Sequence, residues 1–187
     1  MIRIAIDAMG GDHAPEELIK GSELALKDFN ISLVLVGNSG KISKLKKSHE
    51  IEIVHAEEVI GMNDSPVSAV KQKKNSSINV AMDLVKNKKA DAVISAGNTG
   101  ALMASALFKL GRIEEIERPA IATIFPNVFG GEVLLLDMGA NVDCKAKHLL
   151  QFGQMGFEYA KHVMHIKNPR VAILNIGTEL EKGNELT

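Results

Sequence analysis

The stretch Ile2-Arg-Ile-Ala-Ile-Asp-Ala-Met-Gly-Gly-Asp-His-Ala-Pro15 reads as a strand that opens into a polar loop and then a helix. Residues 2–6 form a mostly apolar run of strand length. Leu18, Ile19, Ala25, Leu26 and Phe29 then recur at the spacing of one helix face. Between the two, Gly10 and Gly11 let the backbone take positive φ or approach a ligand. Asp7, Asp12 and His13 set three titratable side chains beside that pliable point. The same residues also fit a plain strand-to-helix turn, in which Asp12 caps the helix and Pro15 starts it. This segment alone leaves both readings open.

The pattern recurs along the chain. Apolar runs at 31–36, 51–54, 92–95, 120–125, 133–136 and 171–176 read as further strands. Ile78, Ala81, Leu84 and Val85 make a second helix stripe, and Leu102, Met103, Ala106, Leu107 and Leu110 a third. Leu149, Phe152, Phe157, Ala160 and Val163 make a fourth, where Gly153 and Gly156 permit close approach to a neighbour. Alternating strands and helices predict an α/β fold, with a largely parallel sheet covered on both faces. The exception is 120–136, where two strands flank the turn-rich 126–131, as in an antiparallel hairpin, so the predicted sheet is mixed. No repeat or linker interrupts the chain, which is expected to be one continuous domain over 1–187.

Composition narrows the function classes. Of 187 residues 45% are hydrophobic and 24% charged, the balance of a globular protein with a proper core. Aromatic residues are 4%, with no Trp, and the formal charge is −1, which argues against a nucleic-acid surface. The single cysteine, Cys144, excludes an internal disulfide, and the start lacks a signal-peptide core, so a cytoplasmic setting is expected. There Asn63-Asp-Ser65 and Asn75-Ser-Ser77 have no meaning as glycosylation sites. No apolar run approaches the roughly 20 residues of a membrane span, so membrane contact is expected to be peripheral at most.

Four loops after strand-like runs share a small, polar character: 7–13, Gly97-Asn-Thr-Gly-Ala101, Asp137-Met-Gly-Ala-Asn141 and Asn175-Ile-Gly-Thr-Glu-Leu-Glu-Lys-Gly183. In a parallel α/β sheet the carboxyl ends of the strands lie together, so such loops can converge on one ligand. The loop at Gly97 enters a helix, and its free N–H groups at Asn98, Thr99 and Gly100 suit an anion such as phosphate. Asn98 or Thr99 equally suits a simple N-cap. Lys182 is a candidate cation for a doubly charged ligand, with Glu179 to orient it or hold a proton; a solvated Lys-Glu pair is the alternative. Gly37-Asn-Ser-Gly-Lys41 fails as a nucleotide loop, because Leu35 replaces its first glycine and Ile42 its metal-binding hydroxyl. Cys144 has no adjacent His and reads as a packed or loop thiol. His162 and His165 share a predicted helix face without further ligands, so neither a metal nor a cofactor is expected. The lysines of 41–47 form an exposed helix face or a patch for an acidic partner.

Taken in order, the motifs at 6–15, 95–101, 136–141 and 175–183 resemble those of the bacterial phosphate acyltransferases of phospholipid synthesis. The resemblance spans the whole chain but only the N-terminal part of the family length. It implies a three-layer α/β/α sandwich related to phosphate acetyltransferases and isocitrate dehydrogenase-like folds, usually dimeric. It also implies transfer of a long-chain acyl group from acyl carrier protein to inorganic phosphate. Phosphate is itself a nucleophile near neutral pH, so the enzyme must position it and stabilise the developing oxyanion, without a catalytic Ser or Cys. On this reading Asn98, Thr99, Gly100 and Lys182 contact phosphate or the oxyanion, and His13 moves protons. Asp7, Gly10, Gly11, Asp12, Gly97, Asp137, Asn141, Asn175, Glu179 and Gly183 shape the substrate site. The expected partners are acyl carrier protein, a second copy of the chain, and peripherally the membrane or the next acyltransferase. Being short of the family length, the chain is expected to be an incomplete form, weakly active or inactive, with exposed sheet edges. Two rivals stand beside this reading: an acetyltransferase-like enzyme using acyl-coenzyme A, and a non-catalytic scaffold that binds acyl carrier protein.

Overall fold

The computed structural model describes residues 1–179 and 181–187; Leu180, inside the predicted loop 175–183, lies outside them. The chain falls into two compact units, Met1–Gly111 and Arg112–Thr187.

In the first unit, β1 (Ile2–Asp7), β2 (Ile31–Gly37), β3 (Glu52–His55) and β4 (Ala92–Ser95) form one sheet in the order β3-β2-β1-β4. Every pairing in it is parallel. The helices are α1 (Glu16–Asp28), α2 (Ser39–Leu45), α3 (Pro66–Gln72), α4 (Ser77–Lys86) and α5 (Thr99–Leu110). The two-residue period of the strands decides the layering. Ile6, Leu33 and Leu35 point to one face, where Ile19 of α1 and Ile42 of α2 bury them. Ala5, Val34 and Val36 point to the other, against Ala81 of α4. Helices thus cover both faces, the expected α/β/α sandwich, and each fully buried Ile or Leu contributes about 1.5–3 kcal/mol. A third cluster, Ile60, Ala69, Val70, Ile78, Ala101 and Ala104, joins α3, α4 and α5. A buried polar pair beside it is satisfied: Ser105 Oγ donates to Asn79 Oδ1 at 2.7 Å, and Asn79 Nδ2 donates to the carbonyls of Val70 and Lys73. The seven-residue α3 escaped the sequence reading, since its stripe is too short to show a period.

Asp12 does not cap α1. The N-cap is Pro15, without a side-chain hydrogen bond, and Asp12 is exposed on the turn before it. Glu16 and Glu17 in the first turn complement the helix dipole instead.

In the second unit, β5 (Thr123–Pro126) and β6 (Glu132–Leu135) pair antiparallel as the hairpin the turn residues foretold. The hairpin is a two-stranded sheet of its own, so the parallel sheet is not extended into a mixed one among the described residues. Asn127 holds its turn, with Oδ1 accepting from the N–H groups of Phe129 and Gly131. The long helix α6 (Ala146–His162) follows. A Cβ added at Gly156 would sit 3.5 Å from Leu136 and one at Gly153 3.4 Å from Val171, ordinary van der Waals contacts, so these neighbours do not come closer than a side chain would allow. His165 lies beyond the end of α6, so it shares no helix face with His162. Residues 171–176, expected as a strand, have no ladder partner among the described residues; Leu174 and Ile176 are each 83% exposed. An apolar run marks a segment that can be buried in a sheet, but only a neighbouring backbone supplies the hydrogen bonds that make a strand. Among the described residues no helix is long and apolar enough to cross a membrane.

Candidate functional site

The order β3-β2-β1-β4 reverses at β1. The chain leaves β1 for β2 and β3 on one side and returns as β4 on the other. In open α/β sheets this reversal parts the loops at the carboxyl edge and creates the crevice where ligands bind. The loops flanking it here are 7–13 and 97–101, which the sequence singled out independently.

Asp7 ends β1 opposite Ser95 of β4 in the ladder register. Its side chain is fully buried, and Oδ2 accepts from Ser95 Oγ at 2.7 Å while Oδ1 accepts from Met9 N–H at 3.2 Å. Ser95 Oγ in turn accepts from Gly97 N–H at 3.1 Å. The carboxylate therefore links both loops through one hydroxyl. Gly10 and Gly97 meet back to back above it: a Cβ on Gly10 would lie 2.5 Å from Asp7 Oδ2 and 2.9 Å from Gly97 N. Gly11, at φ +106°, uses the left-handed freedom of glycine to turn the chain toward α1. Asp12 and His13 stand exposed on that turn.

Asn98 is the N-cap of α5, as the plainer reading had it. Its Oδ1 accepts from Ala101 N–H at 3.0 Å, and its amide protons are shared among the carbonyls of Gly61, Met62 and Asp64 at 3.1–3.3 Å. The side chain is thus spent on structure. The N–H groups of Thr99 and Gly100, in the first turn, have no intrahelical acceptor and sit at the positive end of the helix dipole. Gly100 is required here, since a Cβ would lie 2.7 Å from Pro66 Cγ.

The loop seated on Asn98 has its own brace. Asp64 Oδ2 accepts from Gly61 N–H at 2.9 Å and from Lys73 Nζ at 2.6 Å, and Lys73 also donates to the Val59 carbonyl. The Lys73 ammonium, and after it the Gly61 N–H, hold the Asp64 carboxyl below its ordinary range. Ser95 opened the 95–101 motif but was given no role from the sequence, and this loop was given none either. Ser95 carried a signal, a hydroxyl ending a strand beside the one that ends in Asp7; Asp64 and Lys73, nine residues apart across an unrecognised helix, carried none.

The second unit holds the other predicted residues. Asp137 Oδ1 accepts from Ile121 N–H, and Oδ2 from Asn141 N–H, both at 2.7 Å; Asn141 Nδ2 donates to Asp137 and to the Pro119 carbonyl. These two side chains tie the loop after β6 to the segment before β5. Asn175 closes the last loop by donating from Nδ2 to the Lys182 carbonyl at 3.0 Å, and Gly183 turns it at φ +115°. Glu179 and Lys182 both lie over Gly177, where a Cβ would meet Glu179 Oε2 at 2.5 Å and Lys182 Cγ at 2.8 Å. No Lys182–Glu179 ion pair forms among the described residues. The open hollow here, about 820 Å³, is lined by Glu179, Glu181, Glu185 and Lys182 among others. Three carboxylates against one ammonium do not by themselves suit a doubly charged anion. Elsewhere in this unit Glu117 accepts from Lys147 Nζ at 2.6 Å and contacts buried His148 Nε2 at 3.1 Å; Lys147 first, then His148, holds its carboxyl below the ordinary range.

Comparison with known proteins places this geometry. A curated phosphate acyltransferase of Desulforamulus reducens is 56% identical over 191 residues, covering all of this chain and 57% of the relative. One of Gloeothece citriformis is 52% identical, covering 98% of this chain and 54% of the relative. The chain thus spans about half the length of the curated relatives it matches. A branched-chain phosphotransacylase of Enterococcus faecalis shares the fold, with a TM-score of 0.56 at 18% identity over 86% of this chain and 51% of that one. The family model described as "Fatty acid synthesis protein" matches residues 2–187, and the chain belongs to that family.

Proposed function

We propose that this chain carries the phosphate-binding part of an acyltransferase that moves a fatty acyl group from acyl carrier protein to inorganic phosphate, yielding acyl phosphate for lipid synthesis. The observation that carries the reading is the first turn of α5 at the switch point between β1 and β4. Two unpaired N–H groups there, those of Thr99 and Gly100, suit a phosphate, and glycines 10, 11 and 97 leave room for close approach. The relatives' shared name, phosphate acyltransferase, supports the same reading.

In this mechanism a phosphate oxygen attacks the thioester carbonyl, the carbon–sulfur bond breaks, and the thiolate leaves and takes a proton. Holding phosphate in line with the carbonyl converts a bimolecular encounter into a local one. Lys182 offsets the charge that develops on the oxyanion, and exposed His13 delivers the proton to the departing sulfur. Asp7 and Ser95 hold the two unit-one loops in register, while Asn175, Glu179 and Gly183 set the Lys182 backbone and stem. Asp12 borders the His13 turn, and Asp137 and Asn141 fix the shape of their own loop. The reaction needs no metal or organic cofactor. A second copy of the chain and a peripheral place at the membrane, in a cytoplasmic setting, belong to the same proposal.

The test is phosphate-dependent loss of an acyl-carrier-protein thioester, with hydroxylamine trapping the acyl phosphate. Release of thiol without phosphate dependence would sink it. Faster turnover of acyl-coenzyme A would favour the acetyltransferase-like rival, and carrier binding without turnover the scaffold.

A further inference from the structure

We propose that Asp64 and Lys73 are positioning residues for phosphate: their ion pair fixes the loop 61–65 on Asn98 and thereby sets the opening above the Thr99 and Gly100 N–H groups. The inference rests on the phosphate reading given above and extends it to residues that touch neither substrate. Asn98 can hold α5 and the loop at once only if three carbonyls, those of Gly61, Met62 and Asp64, converge on one amide. Loop carbonyls repel one another when crowded, so something must hold them there. Asp64 does so from within the loop by accepting from Gly61 N–H, and Lys73 does so from the end of α3 by bridging Asp64 Oδ2 and the Val59 carbonyl. Pro66 completes the seat by packing where a Gly100 side chain would be. Met62 and Asn63, exposed at the tip, are then the loop's face toward whatever occupies the opening.

Neutralising Lys73 removes one ammonium for two acceptors and frees the tip to drift. A drift of an ångström at an anion seat weakens binding without touching the chemistry of the thioester. The probe is inorganic phosphate, titrated into the isotope-labelled chain while the Thr99 and Gly100 amide resonances are followed. The parent chain should show saturable shifts at both amides. Lys73→Met should weaken the apparent affinity about tenfold, and Lys73→Arg, which keeps a donor for both acceptors, should recover most of it. In a turnover assay the same variant should raise KM for phosphate while kcat and KM for the acyl donor stay within about twofold. If the parent binds phosphate at these amides and Lys73→Met binds it equally well, the positioning role is wrong and the phosphate reading stands. A parent without saturable shifts there overturns both. A lower Tm for Lys73→Met with unchanged phosphate affinity shows a purely structural ion pair and also overturns the inference.

Discussion

Two of the four polar loops that follow apolar runs, 7–13 and 175–183, differ in what lies beneath them. The first stands on a sheet: β1 has neighbours on both sides, and Asp7 is locked by Ser95 in the adjoining strand. The second stands on residues 171–176, which have no ladder partner among the described residues, and it is closed by hydrogen bonds of its own, Asn175 Nδ2 to the Lys182 carbonyl and Lys182 N–H to the Glu179 carbonyl. Strand register turns sequence neighbours of different strands into spatial neighbours with a spacing of about 4.8 Å, which no self-contained loop can match. The surroundings differ in sign as well. A helix N-terminus faces the first loop, whereas three carboxylates accompany Lys182 in the hollow at the second. On the proposed phosphate reading, an anion would meet helix N–H groups at the first loop and a single ammonium among carboxylates at the second.

The sharpest way to break this contrast uses two glycines with the same nominal clash. A Cβ at Gly10 and a Cβ at Gly177 would each lie 2.5 Å from a carboxylate oxygen. At Gly10 that oxygen belongs to buried Asp7, and Gly97 backbone follows at 2.9 Å; at Gly177 it belongs to exposed Glu179, whose side chain can swing away. Gly10→Ala should cost about 2–3 kcal/mol as overpacking against fixed atoms, and Gly177→Ala less than about 0.5 kcal/mol. Urea unfolding of both variants reads the difference. Equal losses would show that the two loops are equally rigid.

Asp7→Ala comes next. It strands the Ser95 hydroxyl and the Met9 N–H in a buried place, at about 1–3 kcal/mol, and uncouples the loops after β1 and β4. Asn98→Ala removes a cap and a loop anchor together and should cost about 1–2 kcal/mol, with faster hydrogen exchange in residues 61–64 than in β1. Exchange that stayed unchanged in 61–64 would mean the loop holds without Asn98.

How much of this could be read in the sequence follows the same divide. β1 and β2 were legible because their carboxyl halves are buried on both faces and so must be apolar. β4, at the end of the strand order with Ile94 half exposed, was legible only as a short apolar run, yet was found to the residue. The long stripes of α1, α4, α5 and α6 were legible for the reason of period. The hairpin was found, slightly too long, because Asn127 and two glycines specify its turn more strongly than its short strands specify themselves. Residues 171–176 misled because an apolar run reports a capacity to be buried in a sheet, not a partner strand. At the site, the pair Gly10-Gly11 announced positive φ or a close approach: Gly11 takes the positive φ, and Gly10 lies against Gly97 and Asp7 within the protein. Asn98 stood open between an anion contact and an N-cap because cap and anion loop use the same residue types; its four side-chain hydrogen bonds make it the cap.

Acid sharpens the second unit's side of the comparison. Glu117 is held below its ordinary range by Lys147 and then His148, so its folded form favours the charge. The stability it adds is complete above the unfolded carboxylate value and is lost as pH falls through the depressed folded value. Thermal melts between about pH 6 and pH 3 should show that decline, and Lys147→Met should flatten it in the same window. An identical slope in the variant would place the acid sensitivity elsewhere.

The smallest structural effect belongs to the residue with the largest expected effect on turnover. Lys182 contributes its backbone carbonyl to Asn175 and its stem to Gly177, while its ammonium is free of the neighbouring Glu179. Lys182→Ala keeps the carbonyl and should change stability by less than about 0.5 kcal/mol. If the ammonium offsets charge in the transition state, acyl phosphate formation should nonetheless fall by about a hundredfold or more, with KM for the acyl donor little changed. A charge held only by a flexible stem above a loop that no sheet supports must then be ordered by its anion, not in advance of it. Lys182→Arg decides between these. An anion-ordered ammonium tolerates the longer guanidinium poorly and should stay well below the parent rate, whereas a merely solvated surface charge would make Lys182→Arg and Lys182→Ala both indistinguishable from it.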